Sequence, residues 1–150
     1  MSRGFLGTQA TLVADINLIL QIVILIVLMI STLQARKRGL SAHRTLLAIA
    51  VMLNAVLIIA IMNPSFFRIL PFALHNPGAP VPILLWPHAS MGVVAELIGV
   101  YLVLSTNLDW GSSPRLQQRQ RRVRTALRIM LLLWALALAI GLAVYFRLYT

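Results

Sequence analysis

Four apolar stretches, each about as long as a bilayer is thick, govern what this chain can fold into. A helix crossing the hydrocarbon core needs about 20 mostly apolar residues. The 150-residue chain supplies four such stretches, at about 14–33, 43–62, 87–106 and 125–148. The first has no polar residue from Ile22 to Ile30, and the last is apolar from Ile129 to Phe146. In hydrocarbon a spanning segment must satisfy its own backbone N–H and C=O groups, which favours helices. The fold class predicted is all-α, an integral membrane four-helix bundle in a single domain. The N-terminus lacks a basic leader region and no small-residue cleavage site follows the first stretch, so that stretch reads as an uncleaved anchor.

Composition narrows the classes further. The chain is 60% hydrophobic and 11% charged, whereas a soluble domain carries roughly 25% charged residues. That balance argues against soluble enzyme folds and against disorder. The absence of cysteine removes disulfides, thiolate metal sites and cysteine nucleophiles.

The net charge of +10 is distributed unevenly. Ten of the thirteen basic residues lie in or beside the first and third connections: Arg36, Lys37, Arg38, Arg44, Arg115, Arg119, Arg121, Arg122, Arg124 and Arg128. Only Arg3, Arg68 and Arg147 fall on the other side. Basic residues flanking spans stay cytoplasmic, so both termini and the middle connection are expected to be extracytoplasmic. Trp86, Tyr145 and Tyr149 then belong to the outer aromatic belt and Trp110 to the inner one. The arginine run sets topology and attracts anionic lipid headgroups. Nucleic acid is not an expected partner, because no folded basic domain is present to read it.

The middle connection, Asn63 to Trp86, is apolar yet rich in proline. With Pro87 it holds six of the seven prolines. Proline interrupts regular helix, so the segment is expected to be a short interfacial helix near Ser65–Leu74 and then an extended, proline-rich loop over the bundle.

Polar residues inside spans need partners, since an unpaired polar group in hydrocarbon costs several kcal/mol. Asn17 and Gln21 share a face of the first span; Asn54 shares one with His43 in the second. In the third, His88, Gly92, Ala95, Glu96 and Gly99 align, and the small residues allow close helix approach. From the rise of about 1.5 Å per residue, Gln21, Asn54 and Glu96 lie at one depth, roughly 10–14 Å below the outer boundary. A hydrogen-bonded cluster of these three is predicted, with Glu96 protonated or paired. Interhelical glue and a functional site are both open readings, and an intramembrane carboxylate favours the second. The fourth span, without such residues, is expected to be lipid-facing, with Gly141 a point of close approach.

His43 opens the second span at the cytoplasmic side, His88 opens the third at the outer side, and His75 lies in the outer connection. His43 and His88 sit about 30 Å apart along the membrane normal and cannot clasp one haem. His75 and His88 share a side, and Asp15 is available as a third donor, so His88, His75 and Asp15 are the metal-ligand candidates and His88 with His75 the cofactor candidates. Haem or copper is the group such a set would take. The bland alternatives are interfacial histidines bonded to backbone or headgroups, and Asp15 as an N-terminal helix cap.

Three local patterns resemble a known family: His-Arg-Thr-Leu-Leu (His43–Leu47), His-Ala-Ser-Met-Gly (His88–Gly92), and a basic segment running into Trp134 and closing in Val-Tyr-Phe-Arg-Leu-Tyr (Val144–Tyr149). In that order they resemble the small bacterial membrane proteins of domain of unknown function 420, the YozB-like family, over about residues 14–149. The resemblance implies four spans in the bacterial cytoplasmic membrane and a non-enzymatic accessory or assembly role for a respiratory haem–copper terminal oxidase. His43, Arg44 and His88 match the family positions. Where members tend to close the second span with Tyr-His, this chain has Met62-Asn63, so a ligand there would have to come from His75. The implied partners are membrane lipids and other membrane subunits, a terminal oxidase among them. The alternative is a structural or haem- or pigment-binding subunit of a larger energy-transducing complex.

Overall fold

The computed structural model describes residues 4–7, 9–36, 40–107 and 114–149. Arg3, Lys37, Arg38 and Trp110 lie outside the described residues, as do the side chains of Arg36, Arg115 and Arg119. The chain is all-α. Helix α1 spans Leu12–Arg36, α2 Leu40–Leu57, α3 Asn63–His75, α4 Pro80–Asn107 and α5 Pro114–Tyr149, with a π-helical turn at Ile58–Met62 between α2 and α3. Four helical rods are long and apolar enough to cross a membrane: Leu12–Gln34, Ala42–His75, Pro80–Ser105 and Arg121–Tyr149. This is a multi-pass membrane bundle.

The α1 and α2 rods pack along each other, as do α4 and α5, while α2 meets α4 and α1 meets α5. The ring closes so that both termini and the α3–α4 turn share one end, here the termini end. The described basic residues Arg44, Arg121, Arg122, Arg124 and Arg128 share the other, the arginine end. At 36 residues and about 1.5 Å per residue, α5 runs about 54 Å, well beyond a core of about 30 Å. Its length therefore exceeds what a single crossing needs.

The middle connection corrects the sequence expectation. The proline-rich segment is helical, not an extended loop: α2 continues through the π turn into α3, and only 76–79 separate α3 from α4. The prolines sit where helices tolerate them. Pro80 opens α4, where its missing N–H had no intrahelical acceptor in any case, and Pro64 follows directly on the π turn. Pro71 and Pro87 are internal, and each leaves one carbonyl without its usual donor. The π turn lies directly before Pro64, with the Asn63 N–H reaching five residues back to the Ile58 carbonyl. A widened turn there moves the Ala60 carbonyl away from a proline ring that cannot donate to it.

Packing is tightest toward the arginine end. Ile24 and Leu28 of α1, Leu47 and Val51 of α2, Leu102 of α4, and Leu127 and Met130 of α5 form one buried cluster. Gly99 lets α4 approach so closely that an added Cβ would stand 2.9 Å from Val51 Cγ2. Small residues of this kind permit the van der Waals packing that joins helices in lipid, where burial from water supplies no drive. The α5 helix is not merely lipid-facing, as its lack of polar residues suggested. One of its faces, from Val123 through Leu127, Met130 and Trp134 to Val144, is buried. Ile26, Met29, Met52, Leu97, Leu104 and Leu132 point outward, each exposed by half or more, as a lipid-facing belt requires.

Candidate functional site

The pairing of α1 with α2 follows from counting away from their turn. Antiparallel helices of equal rise bring residues equidistant from the connection to one level. Ser31 and His43 each lie six residues from position 37, while Gln21 and Asn54 lie sixteen and seventeen away. Both pairs meet. Gln21 Nε2 donates to Asn54 Oδ1 at 2.7 Å, and Asn54 Nδ2 donates to Glu96 Oε2 at 2.8 Å. The predicted cluster therefore exists as a chain of two bonds joining α1, α2 and α4, with Asn54 as the centre. Glu96 Oε1 is buried without a hydrogen-bond partner.

His43 is buried and bonded to backbone, one of the two bland readings open for it. Its Nδ1–H donates to the Ser31 carbonyl at 3.0 Å, with the Ser31 hydroxyl oxygen 2.8 Å away, and that hydroxyl donates back to the His43 carbonyl at 3.1 Å. Its neighbour Arg44 is half-buried. His43 thus locks α1 to α2 beneath the arginine end.

His88 makes the corresponding tie between α4 and α5. Its Nδ1–H donates to the Ala137 carbonyl at 2.8 Å. The ring fits there because Gly141 has no side chain: an added Cβ would stand 2.8 Å from His88 Cε1. The close approach at Gly141 anticipated from sequence is one between a glycine and a histidine ring.

Asp15 is fully buried and does not cap α1; Thr11 does, its Oγ1 accepting the Ala14 N–H at 3.3 Å. The Asp15 carboxylate instead accepts the Phe5 N–H at 2.7 Å, the Leu6 N–H at 3.0 Å, and the Tyr145 hydroxyl. It fastens the N-terminal segment and the end of α5 onto α1, and the Gln9 N–H adds a bond to the Tyr149 carbonyl at 3.1 Å. Tyr145 is consequently buried. Trp86, by contrast, is exposed and packs edge-on against Phe66 with ring centroids 5.8 Å apart.

The proposed ligand set of His88, His75 and Asp15 does not assemble. Asp15 already has three donors, His88 is held by α5, and exposed His75 donates its Nδ1–H to the Pro71 carbonyl of its own helix at 2.7 Å. Among the described residues no three His, Asp or Glu side chains form a group able to hold a metal ion. Copper, which favours several nitrogen or sulfur donors, is therefore not matched by these residues.

Between the Gln21–Asn54–Glu96 chain and the termini end lies a partly open cavity of about 240 Å³. Gln21 and Asn54 form its polar floor, His88 and Trp134 its sides, and Phe66 and Ile69 of α3 its roof. Pockets for drug-sized ligands run to roughly 300–1,000 Å³; this space lies below that range and offers a haem one histidine, His88. Sequence reasoning missed three participants. Tyr145 looked like an interfacial aromatic; only α5 lying beside α1 makes it the partner of Asp15. Trp134 carried no periodic signal that set it apart from core. Asn17 was noted only for sharing a face with Gln21, yet its Oδ1 is buried on the cavity wall without a partner. Ser31, in turn, was recoverable from the hairpin count above.

No protein-family model, no curated protein and no solved structure matches the chain.

Proposed function

We propose that the protein is a non-enzymatic accessory factor in the maturation of a respiratory haem–copper terminal oxidase, seated in a bacterial cytoplasmic membrane with both termini extracytoplasmic. Orientation follows the basic residues, which concentrate at the arginine end. One observation carries the reading: the groups best suited to chemistry are spent on holding helices together. Asp15 joins α1 to α5, His43 joins α2 to α1, Glu96 joins α4 to α2, and His88 joins α4 to α5. His43 and His88, the histidines that carry the family resemblance, are thus scaffold ties. What they hold rigid is a bundle surface suited to another membrane subunit.

Deleting the gene in its host and measuring terminal-oxidase activity per oxidase polypeptide tests the proposal. Activity is expected to fall several-fold and return with the intact gene. Unchanged specific activity in the deletion strain would overturn it. Stoichiometric retention of the protein in the purified oxidase would instead make it a resident structural subunit.

A further inference from the structure

The cavity is shaped by small residues at positions where a spanning helix has room for large ones. Gly92 of α4 lines it with no atom within 4 Å of where a Cβ would stand, and Ala14, Ala89 and Ala137 line it too. An apolar cavity of about 150 Å³ admits a benzene ring, so about 240 Å³ takes one ring and the first carbons of a tail. Trp134 supplies an aromatic surface on one wall.

Two polar atoms define what such a ring must carry. Asn17 Oδ1 is a buried acceptor with no donor. His88 gives its Nδ1–H to the Ala137 carbonyl, which leaves Nε2 as the ring nitrogen that can meet a second partner. Asn17 and His88 both line this space, and a ligand that brings an O–H would supply the donor that Asn17 Oδ1 lacks. A hydroxyl meets that need and tolerates the surrounding hydrocarbon better than a charged donor, whose burial costs far more.

We propose that this cavity binds one molecule of a lipid-soluble phenol: a hydroxylated aromatic ring on an apolar tail, its hydroxyl donating to Asn17 or His88 and its ring beside Trp134. The site stands whether or not the protein serves an oxidase.

The test uses the full chain carrying Trp86→Phe and Trp110→Phe, so that Trp134 is the sole indole, in maltoside micelles. The probe is 3-bromo-5-decylphenol, whose bromine quenches a neighbouring indole; its methyl ether is the matched compound without a donor. At equal micellar mole fraction the phenol is expected to quench Trp134 saturably, and the ether to bind three- to ten-fold more weakly. Asn17→Leu is expected to remove most of that difference. Gly92→Leu fills the space and is expected to abolish saturable quenching, with Ala89→Leu as a second plug should the first variant fail to fold by circular dichroism. Equal binding of phenol and ether would overturn recognition of the hydroxyl. Unaltered saturable quenching in both folded plugged variants would overturn the site.

Discussion

At the arginine end the helices meet through Leu28, Leu47, Leu102 and Met130, each sealed from the surface; at the termini end the same helices surround about 240 Å³ of space and are joined by directional bonds from Asp15, His88 and Asn54. Two glycines on one face of α4 express the difference. Gly99 is pressed against Val51 and Met130, while Gly92, seven residues earlier, faces nothing within 4 Å. The same residue type serves close packing in one half and makes room in the other. In lipid, where apolar contact between helices carries no solvent-derived drive, contact density and hydrogen bonds are separate means of holding a bundle together. The arginine end uses both, with His43 bonded to Ser31 beside the packed cluster, whereas the termini end, joined chiefly by hydrogen bonds, is the half that holds a cavity.

Four substitutions probe that contrast. Met130→Ala, in the packed half, is expected to cost about 2–5 kcal/mol, as large-to-small changes in a tight core do; reversible unfolding in mixed micelles measures it, and a loss below about 1 kcal/mol would mean this half is not tightly packed. Gly141→Ala drives a methyl into the His88 ring and is expected to cost about 1–3 kcal/mol by overpacking. The same variant should lose the imidazole-to-carbonyl bond, read as a change in the His88 ring nitrogen shifts. Asn54→Leu removes both bonds of the central chain. At about 0.6 kcal/mol per interhelical bond in a membrane, with two partners left unpaired, the expected loss is about 1–2 kcal/mol. Full stability in that variant would show the chain to be incidental. Gly92→Leu, finally, is expected to change stability by no more than about 0.5 kcal/mol, the range of substitutions that disturb no packed neighbour. A cost equal to that of Met130→Ala would erase the distinction between the halves.

Much of the bundle is legible without coordinates because its constraints are one-dimensional. Length and hydropathy mark the spans, and distance from a hairpin turn brings Gln21 level with Asn54 and Ser31 level with His43. Depth alone then places Glu96 near them, since three polar residues at one level in hydrocarbon have only one another to bond. Proline misled at Asn63–Trp86 because its effect depends on position in a helix: at a first turn, as at Pro80, it is harmless, and where a helix restarts is not marked by proline alone.

Span number, end-to-end charge polarity and the central amide–carboxyl chain are thus properties of the linear order of residues, because each depends on spacing along rods of constant rise. The meeting of Asp15 with Tyr145, 130 positions away in sequence, is not. Neither is the seat of His88 against Gly141, nor the unpartnered oxygen of Asn17 on a cavity wall. Those depend on which helix neighbours which, and on how each is rotated about its axis. Both follow from packing the whole ring at once, and no local pattern contains them.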